Sequence, residues 1–422
     1  MIPGCGRILN WPRAKSALSR SVSSSWGRDV KRIIEETVKL EQLVPGGQAI
    51  GDLADGRKVF VWGVLPGETA LIRLTKLKKT HAEAIVAEVI KPSPDRIVPR
   101  DDCFLATSPW QIMTESAESR HKVALVKEAF RQHRVEIEPN EIVGDGQYYH
   151  YRNKMEYSLW WDHQTERIYP AFHQRGSHRK IAVRHSSIER VEIWQEANRL
   201  INQLNSTGAQ TRHYQSIMIR CDQAGRVSSA LFAMNQPHPQ MKQLSDTILG
   251  HRYTYSPNGF FQINLPVYQL ALQTIKPFIT TDQVVDMYAG VGTIGLSVAR
   301  DRRLALVETD RHAFGELERN LPGDHPDITA IHTRSEEALE YITPEATIIV
   351  DPPRAGLDSK LVARLAEVKP PRLIYLSCNP VTQARDIARL GSDYHPVLCQ
   401  PFNFFPRTPH IENLVVLDLA SG

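Results

Sequence analysis

Short apolar runs separated by turn residues mark the first part of the chain. Lys58–Gly63, Ala70–Leu74 and Ala82–Ile90 carry the apolar residues typical of β-strands, and the sequence Leu-Pro-Gly-Glu at 65–68 is a turn signal. Several short strands at such spacing predict a small closed β-barrel, of the oligonucleotide-binding type, over residues 31–97.

The pattern changes twice further along the chain. Residues 98–255 are less regular, with one amphipathic helix predicted near Ala117–His133, and we expect a mixed α/β central domain. From residue 256 to 422, apolar strands alternate with helical stretches, which is typical of an α/β domain with a mostly parallel sheet. The predicted strands of that domain are Gln283–Asp286, Arg303–Glu308, Ala346–Asp351, Arg372–Cys378 and Asn413–Leu419.

The net charge says little about the partners of the protein beyond its first 28 residues. The net charge of the 422 residues is +4, but the first 28 residues carry five cations and no acid, so the remainder sums to −1. We expect residues 1–30 to be a disordered basic extension; an organellar transit peptide is the alternative. An RNA-binding surface must therefore be argued from local patches.

Three local patches are basic. The segment 75–80 (Thr-Lys-Leu-Lys-Lys-Thr) is predicted to be a loop between two barrel strands, where it either meets phosphate or forms a solvated turn. The other two are the cluster Tyr-Arg-Asn-Lys at 151–154, surrounded by aromatic residues, and Arg175–Arg184. Basic side chains between aromatics suit RNA, although an ordinary strand with half-buried aromatics explains 151–154 equally well.

Compartment and partners follow from cysteine count and hydropathy. Five widely spaced cysteines do not form a disulfide framework and favour a reducing, cytoplasmic compartment. No apolar run approaches the ~18 residues of a membrane span, so we predict no membrane partner. Nothing in the sequence indicates an obligate protein partner.

A glycine loop follows the first strand of the predicted C-terminal sheet. Asp286-Met-Tyr-Ala-Gly290-Val-Gly292-Thr-Ile-Gly295 opens a helix, and its glycines allow the backbone to approach a ligand closely. Glu308 ends the next strand about 20 residues on, where an acid can accept hydrogen bonds from ribose hydroxyls. Dinucleotide cofactors and other nucleoside cofactors both fit this pattern.

Two later strand ends separate these options. Asp351 precedes two prolines that stiffen the backbone, and Cys378 follows an apolar strand, within Ser-Cys-Asn-Pro. Glu412 precedes the last strand. Taken alone, the cysteine fits a small buried hydrophobe and the glutamate a solvated turn acid.

Methyl transfer to a pyrimidine uses all of these groups, whereas hydride transfer leaves Cys378 and Glu412 without a role. C5 of uracil is a poor nucleophile until a thiolate adds to C6 and makes C5 electron-rich. A base must then remove the C5 proton so that the thiol can be eliminated.

These motifs together resemble the RNA uracil-C5 methyltransferase family, which uses S-adenosylmethionine. The likeness runs from about residue 31 to the end and covers a TRAM-like barrel and Tyr151–Glu156. In the C-terminal domain the matching stretches are Asn258–Asn264, Asp286–Gly295, Ile349–Gly356, Leu376–Pro380 and Pro409–Glu412.

The resemblance implies roles for single residues. Cys378 is the nucleophile, and Glu412 is the base that removes the proton. The side chains implied to line the cofactor and base pocket are Gln262, Tyr288, Glu308 and Asp351, beside Gly290 and Gly292 of the glycine loop. Phe260 or Phe261 would stack on a base flipped out of its helix, or belong to the core.

The resemblance also implies a substrate. Members with the barrel more often modify ribosomal RNA, so 23S rRNA is the expected partner and the T-loop uridine of tRNA the second choice. A non-catalytic RNA-binding or RNA-folding factor of the same fold and a nicotinamide oxidoreductase are the alternatives from other classes.

The sequence departs from the family at one site. Some members hold an iron–sulfur cluster with four cysteines, but here Cys103 stands alone, with Pro109 and Ile112 at the next two positions and His185 near the fourth. One thiolate cannot hold such a cluster, so we predict no iron–sulfur cluster and no metal site.

Overall fold

The computed structural model describes most of the chain. The described residues are 34–175, 179–208, 213–233, 236, 239–323 and 326–420. The predicted basic extension, residues 1–30, lies outside them, as do residues 176–178 of the third basic patch. Residues Glu35–Gly422 cluster into one compact unit.

A closed five-stranded barrel begins this unit, as predicted. Its strands follow the order β1-β2-β3-β5-β4, and β1 pairs with β4 to close it. Alternate residues such as Val59, Val61 and Ile72 are buried inside, which is the period expected of strands with one face in a core. The strands are β1 (Glu35–Leu43), β2 (Ala49–Asp52), β3 (Lys58–Trp62), β4 (Thr69–Leu77) and β5 (His81–Lys91).

The predicted basic loop is shorter than expected. Strand β4 continues to Leu77 and β5 begins at His81, so the prediction of a loop over 75–80 was wrong for its first three residues. Lys76 therefore lies on β4, where its Nζ is 3.4 Å from Glu83 Oε1 on β5. Lys78 and Lys79 are the exposed cations of the turn.

Helices α1 (Phe104–Thr107) and α2 (Glu115–Gln132) follow the barrel. Helix α2 corresponds to the helix predicted near Ala117–His133. It begins at Glu115 because the Thr114 side chain caps it by accepting a hydrogen bond from Ala117 N, at 3.3 Å.

A second, antiparallel sheet forms the core of the next region, in the order β10-β9-β6-β7-β8. Tyr149, Tyr151 and Tyr157 are buried here, and the Tyr151 hydroxyl donates to the carbonyl oxygen of Pro406 at 2.9 Å. These three rings therefore contribute to packing rather than to an exposed stacking surface. The elements are β6 (Lys154–Asp162), β7 (Arg167–His173), β8 (Lys180–Ala182), α3 (Val191–Ser206), β9 (Tyr214–Cys221), β10 (Val227–Ala233), and the hairpin β11 (Leu244–Ile248) and β12 (His251–Tyr255).

A seven-stranded sheet ends the chain, in the order β15-β14-β13-β16-β17-β19-β18. Its first five strands are parallel, whereas β19 runs antiparallel to both β17 and β18. This confirms the predicted α/β class; the exact domain boundaries stay a prediction. The elements are α4 (Leu265–Ile275), β13 (Gln283–Asp286), α5 (Thr293–Val298), β14 (Arg303–Glu308), α6 (Arg311–Asn320), β15 (Ile328–His332), β16 (Ala346–Val350), α7 (Ser359–Val368), β17 (Arg372–Ser377), α8 (Pro380–Leu390), β18 (Tyr394–Phe402) and β19 (Glu412–Leu419), with short 3-10 helices at Lys276–Phe278, Ser335–Glu337, Leu339–Tyr341 and Gly391–Asp393.

None of the described helices is long and apolar enough to cross a membrane.

Candidate active site

The polar residues predicted from strand ends share one edge of the sheet. Asp286 and Glu308 end the parallel strands β13 and β14, and Asp351 and Cys378 directly follow β16 and β17. Glu412 begins β19, and because β19 is antiparallel its first residue lies at the edge where the parallel strands end. In α/β sheets this edge is where ligands bind, beside the strand at which the order reverses, here β13.

Strand register brings the thiol and the carboxyl together. Ser377 on β17 pairs with Asn413 on β19, and continuing that register by one residue places Cys378 opposite Glu412. Directly opposed residues in an antiparallel pair have Cα atoms about 4.5–5.5 Å apart. Burial and then the negative charge of Glu412 raise the pKa of Cys378.

The surroundings of Cys378 disfavour its thiolate. The side chain is half-buried, and burial, together with the negative charges of Glu412 and Asp351, raises the pKa of its thiol to about 11. Arg354 opposes this by its positive charge and a hydrogen bond to Cys378. Arg354 is thus the cation placed to stabilise a sulfur anion.

Two carboxyl groups share the site with the thiol. Burial and the charge of Asp286 raise the pKa of Asp351 to about 7. Burial and then the charge of Asp351 raise the pKa of Glu412 well above its usual value, while Arg354 lowers it. Acids held close in this way do not both ionise freely, and perturbed carboxyls beside a nucleophile mark sites of proton transfer.

Arg354 is fixed by main-chain and side-chain contacts. Its carbonyl oxygen accepts from Asn379 Nδ2 at 2.9 Å and from Thr382 Oγ1 at 3.2 Å, both near the start of α8. Its guanidinium lies 3.2 Å from His410 Nδ1. Burial, followed by the charge of Arg354, lowers the pKa of His410 to about 4, so the ring is neutral at pH 7 and accepts from the guanidinium.

The glycine loop is built around two acids. Asp286 is fully buried, and its Oδ2 accepts from Gly295 N at 3.0 Å. Glu308 Oε2 accepts from Gly290 N at 2.8 Å. Gly292 has φ +90°, and a Cβ there would lie 2.7 Å from side-chain carbons of both Leu296 and Leu317, so only glycine fits.

Two other predicted pocket residues have defined contacts. The Tyr288 hydroxyl accepts a hydrogen bond from Ser335 Oγ at 2.9 Å, which places this ring beside the turn after β15. Gln262 is buried. Its main-chain carbonyl oxygen accepts hydrogen bonds from Asn153 Nδ2 at 3.2 Å and from Arg220 Nη2 at 3.1 Å. The roles of Tyr288, Gln262 and the other predicted site residues stay predictions.

The two phenylalanines of the Asn258–Asn264 segment differ in burial. Phe261 is buried and stacks on Tyr255 with ring centroids 3.8 Å apart, so it belongs to the core. Phe260 is 77% exposed. Phe260 is therefore the ring available to a base.

Three further groups lie near this edge. Arg354 and His410 belong to the matching stretches Ile349–Gly356 and Pro409–Glu412, but the sequence predicts no role for either. Tyr268 on α4 was missed, because its spacing is that of a core residue. Its buried hydroxyl is 2.8 Å from Thr293 Oγ1, and Asp351 and Asp286 lie close enough to raise its pKa further, after burial.

Cys103 is the one cysteine at the site where some family members hold an iron–sulfur cluster. It is buried, and burial raises the pKa of its thiol to about 12. Its Sγ lies 3.9 Å from the carbonyl oxygen of His185. The absence of an iron–sulfur cluster stays a prediction.

Two protein-family models match parts of the chain. The one described as tRNA (Uracil-5-)-methyltransferase matches residues 338–420, which include Asp351, Cys378 and Glu412. The one described as TRAM domain matches residues 34–87, within the barrel region.

Relatives described as uncharacterized RNA methyltransferases resemble nearly the whole chain. One from Enterococcus faecalis is 26% identical over 428 residues, covering 87% of this chain and 93% of the relative. One from Thermosynechococcus vestitus is 26% identical over 451 residues, covering 91% and 98% respectively.

A solved structure has the same fold. It is described as Pyrococcus abyssi tRNA (uracil-54, C5)-methyltransferase in complex with S-adenosyl-L-homocysteine, and it covers 90% of this chain and 100% of its own at a TM-score of 0.73 and 21% identity. The predicted resemblance to the RNA uracil-C5 methyltransferase family is confirmed.

Proposed function

We propose that this chain, an S-adenosylmethionine-dependent RNA methyltransferase with a TRAM barrel, transfers a methyl group to C5 of a uridine in RNA. The observation that carries the proposal is the convergence of Cys378, Arg354 and Glu412 at the sheet edge beside the glycine loop. A thiol and a carboxyl acting on one ring are what C5 methylation of uracil requires.

Each protein group has one task in this reaction. The Cys378 thiolate adds to C6 of the uracil, and the electron pair of the C5–C6 double bond moves towards the C4 carbonyl, which makes C5 nucleophilic. Arg354 stabilises the thiolate before the attack and again when the sulfur leaves. When bound, S-adenosylmethionine supplies an electrophilic methyl group to C5.

Glu412 completes the cycle. Its carboxylate takes the proton from the methylated C5, the C5–C6 double bond re-forms, and the C6–S bond breaks to return the thiolate. The burial that raises the pKa of Glu412 also makes its carboxylate a stronger base once it is ionised.

The glycine-loop residues fit a nucleoside cofactor with a sulfonium group. Nothing lies within 4 Å of the position that a Cβ on Gly290 would take, so the space above the loop is open. Glu308, held by Gly290 N and Asp310 N, keeps carboxylate lone pairs for ribose hydroxyls. The acids Asp286 and Asp351 favour a positively charged sulfur over an anionic ligand. In this proposal Gln262 and Tyr288 line the same pocket.

Covalent trapping tests the chemistry. In RNA that carries 5-fluorouridine, fluorine blocks the final proton removal, so the wild-type protein should form a stable adduct that migrates slowly in a denaturing gel. Cys378→Ala should abolish both the adduct and turnover, whereas Cys399→Ala, a buried thiol on β18, should keep both. Glu412→Gln should accumulate adduct on ordinary RNA and release it slowly.

Other outcomes decide between function classes. A non-catalytic RNA-folding factor would bind the RNA without forming an adduct. A nicotinamide oxidoreductase would bind NAD in an equilibrium titration in which S-adenosylmethionine does not compete. Normal turnover by Glu412→Gln would remove the role assigned to that carboxyl.

We propose 23S rRNA as the substrate, with the T-loop uridine of tRNA as the second candidate. The rRNA preference follows from the barrel, since family members that carry it more often act on rRNA. The tRNA candidate is favoured by the likeness to the Pyrococcus abyssi enzyme and by the description of the family model. Nucleoside mass spectrometry of separated rRNA and tRNA from a deletion strain distinguishes them, and loss of 5-methyluridine from tRNA alone would reverse the ranking.

A further inference from the structure

The segment before Glu412 is an unusually long hairpin connection. Strands β18 and β19 pair as far as Phe402 and Glu412, and the nine residues 403–411, here called the hairpin loop, join them. Most hairpin connections have about two to five residues. Because Glu412 directly follows the hairpin loop, the conformation of this loop decides where the carboxyl lies.

Groups from outside the hairpin fix the main chain of this loop. Four successive carbonyl oxygens each accept a hydrogen bond from a residue in a different part of the chain. The pairs are Asn264 Nδ2 to Phe404 (3.1 Å), Lys122 Nζ to Phe405 (3.1 Å), the Tyr151 hydroxyl to Pro406 (2.9 Å) and Trp110 N to Arg407 (3.0 Å). Three of these donors precede the C-terminal sheet by more than a hundred residues.

Lys122 makes the central contact. This side chain on α2 is fully buried, and its ammonium group lies 2.9 Å from Glu118 Oε1, 2.6 Å from Asn403 Oδ1 and 3.1 Å from the Phe405 carbonyl oxygen. An ammonium group has three donors, and all three are used here. Such a group has one orientation, and two of its three acceptors belong to the hairpin loop.

The neighbouring charges of α2 extend the same contact. Glu118 accepts from Arg407 N at 3.0 Å and from Asn403 Nδ2 at 3.3 Å, and Glu115 Oε1 lies 2.8 Å from Arg407 Nη2. Arg407 has φ +64°, a conformation that a side-chain-bearing residue keeps only when its surroundings enforce it. Lys122, Glu118 and Glu115 thus hold the loop at residues 403, 405 and 407.

The C-terminal end of the hairpin loop reaches the reacting groups. The loop directly precedes Glu412, and it carries His410, whose Nδ1 lies 3.2 Å from the Arg354 guanidinium. A shift of this loop therefore displaces the carboxyl and the partner of Arg354, while Cys378 stays on its own strand end after β17.

We propose that Lys122 of α2 is a positioning residue for the carboxyl of Glu412, acting through Asn403 and the carbonyl oxygen of Phe405. The proposal rests on the function proposed above, and it assigns the step that Lys122 affects. Removal of the ammonium group loosens the loop, so proton abstraction from C5 and release of the adduct slow, while addition of Cys378 to C6 continues.

The variant Lys122→Met tests this step. It removes the donors but keeps an unbranched apolar side chain. Glu118 still accepts hydrogen bonds from Arg407 N and Asn403 Nδ2, and its Oε2 lies 3.6 Å from Arg407 Nη1, so its charge stays partnered. The matched control is Lys127→Met on the same helix, an exposed residue paired with Glu138 at the surface. Far-ultraviolet circular dichroism and thermal unfolding check the fold, and Glu118→Gln with Lys122→Met provides a charge-neutral second variant.

Two rates are measured for each protein. The rate of adduct formation uses 5-fluorouridine RNA, and the release of methylated product uses ordinary RNA in single turnover. For Lys122→Met we expect adduct formation to stay within about threefold of Lys127→Met, and release to slow by about tenfold to a hundredfold, because small misplacements of catalytic groups cost rates of that size.

The outcomes separate the two proposals. Release by Lys122→Met and by the double variant at the rate of Lys127→Met would overturn the positioning role, and so would an equal fall of both rates, which indicates general loss of structure. Absence of any adduct with the wild-type protein would overturn the proposed function itself.

Discussion

The reactivity of Cys378 should depend steeply on pH. Burial and two nearby acids raise the pKa of its thiol to about 11, so only about one thiol in ten thousand is ionised at pH 7. Because the thiolate is the nucleophile, its fraction grows tenfold for each pH unit below the pKa. The second-order rate constant for adduct formation should therefore rise about tenfold per pH unit between about pH 6.5 and 8.5.

Replacement of Arg354 should lower the rate constant for adduct formation at every pH, without changing the slope of its logarithm against pH. Arg354→Gln removes the cation and hydrogen bond that oppose the acids, so the pKa of Cys378 rises further and less thiolate is present at each pH. The guanidinium is exposed, so solvent screens it and the interaction is worth about 1 kcal/mol. A loss of about 1 kcal/mol corresponds to about a fivefold lower rate constant across the pH range of about 6.5 to 8.5.

The assay follows the retarded band of the adduct with 5-fluorouridine RNA at subsaturating concentration, where the rate constant reports groups of the free enzyme. Arg303→Gln is the control, because it makes the same charge change at the amino end of β14, away from the site. A plateau below about pH 8 would refute the raised thiol pKa. A rate for Arg354→Gln equal to that of the control would refute the role of the cation.

Four further predictions concern the glycine loop, the barrel and Cys103. Gly292→Ala should lower the free energy of unfolding by about 2–4 kcal/mol, from the clash with two leucines and the positive φ, as measured by denaturant titration. Gly290→Ala places its Cβ in open space, so it should lose less stability but weaken binding of S-adenosylmethionine in calorimetry; the reverse pattern would contradict the pocket assignment. Replacement of both Lys78 and Lys79 by Gln should reduce the salt slope of RNA binding by about 1.5, and an unchanged slope would mean that this turn is only solvated. Cys103→Ala should leave the fold unchanged by circular dichroism, and stoichiometric iron and sulfide in the wild-type protein would contradict the prediction of no cluster.

The fold was predictable where local patterns were strong. The strands Gln283–Asp286 and Arg303–Glu308 begin and end as predicted, because each is an apolar run bounded by polar residues or turns. The prediction of a loop at 75–80 was partly wrong, since Lys76 and Leu77 pair with β5 and Thr75 lies at a register shift between paired residues of β4. Pairing with a neighbouring strand outweighed local composition there.

The candidate site was predictable as a set of strand ends but not as a geometry. The sequence by itself determined which residues are candidates for the chemistry, because glycine loops, a thiol and acids at the ends of apolar strands are readable as patterns. Only the tertiary structure decided that β19 runs antiparallel and so returns Glu412 to the edge that carries Cys378. It also decided that Lys122, more than 280 residues earlier, contacts the loop before Glu412. Contacts between residues so far apart leave no periodic signal in the chain, since they depend on how whole elements pack.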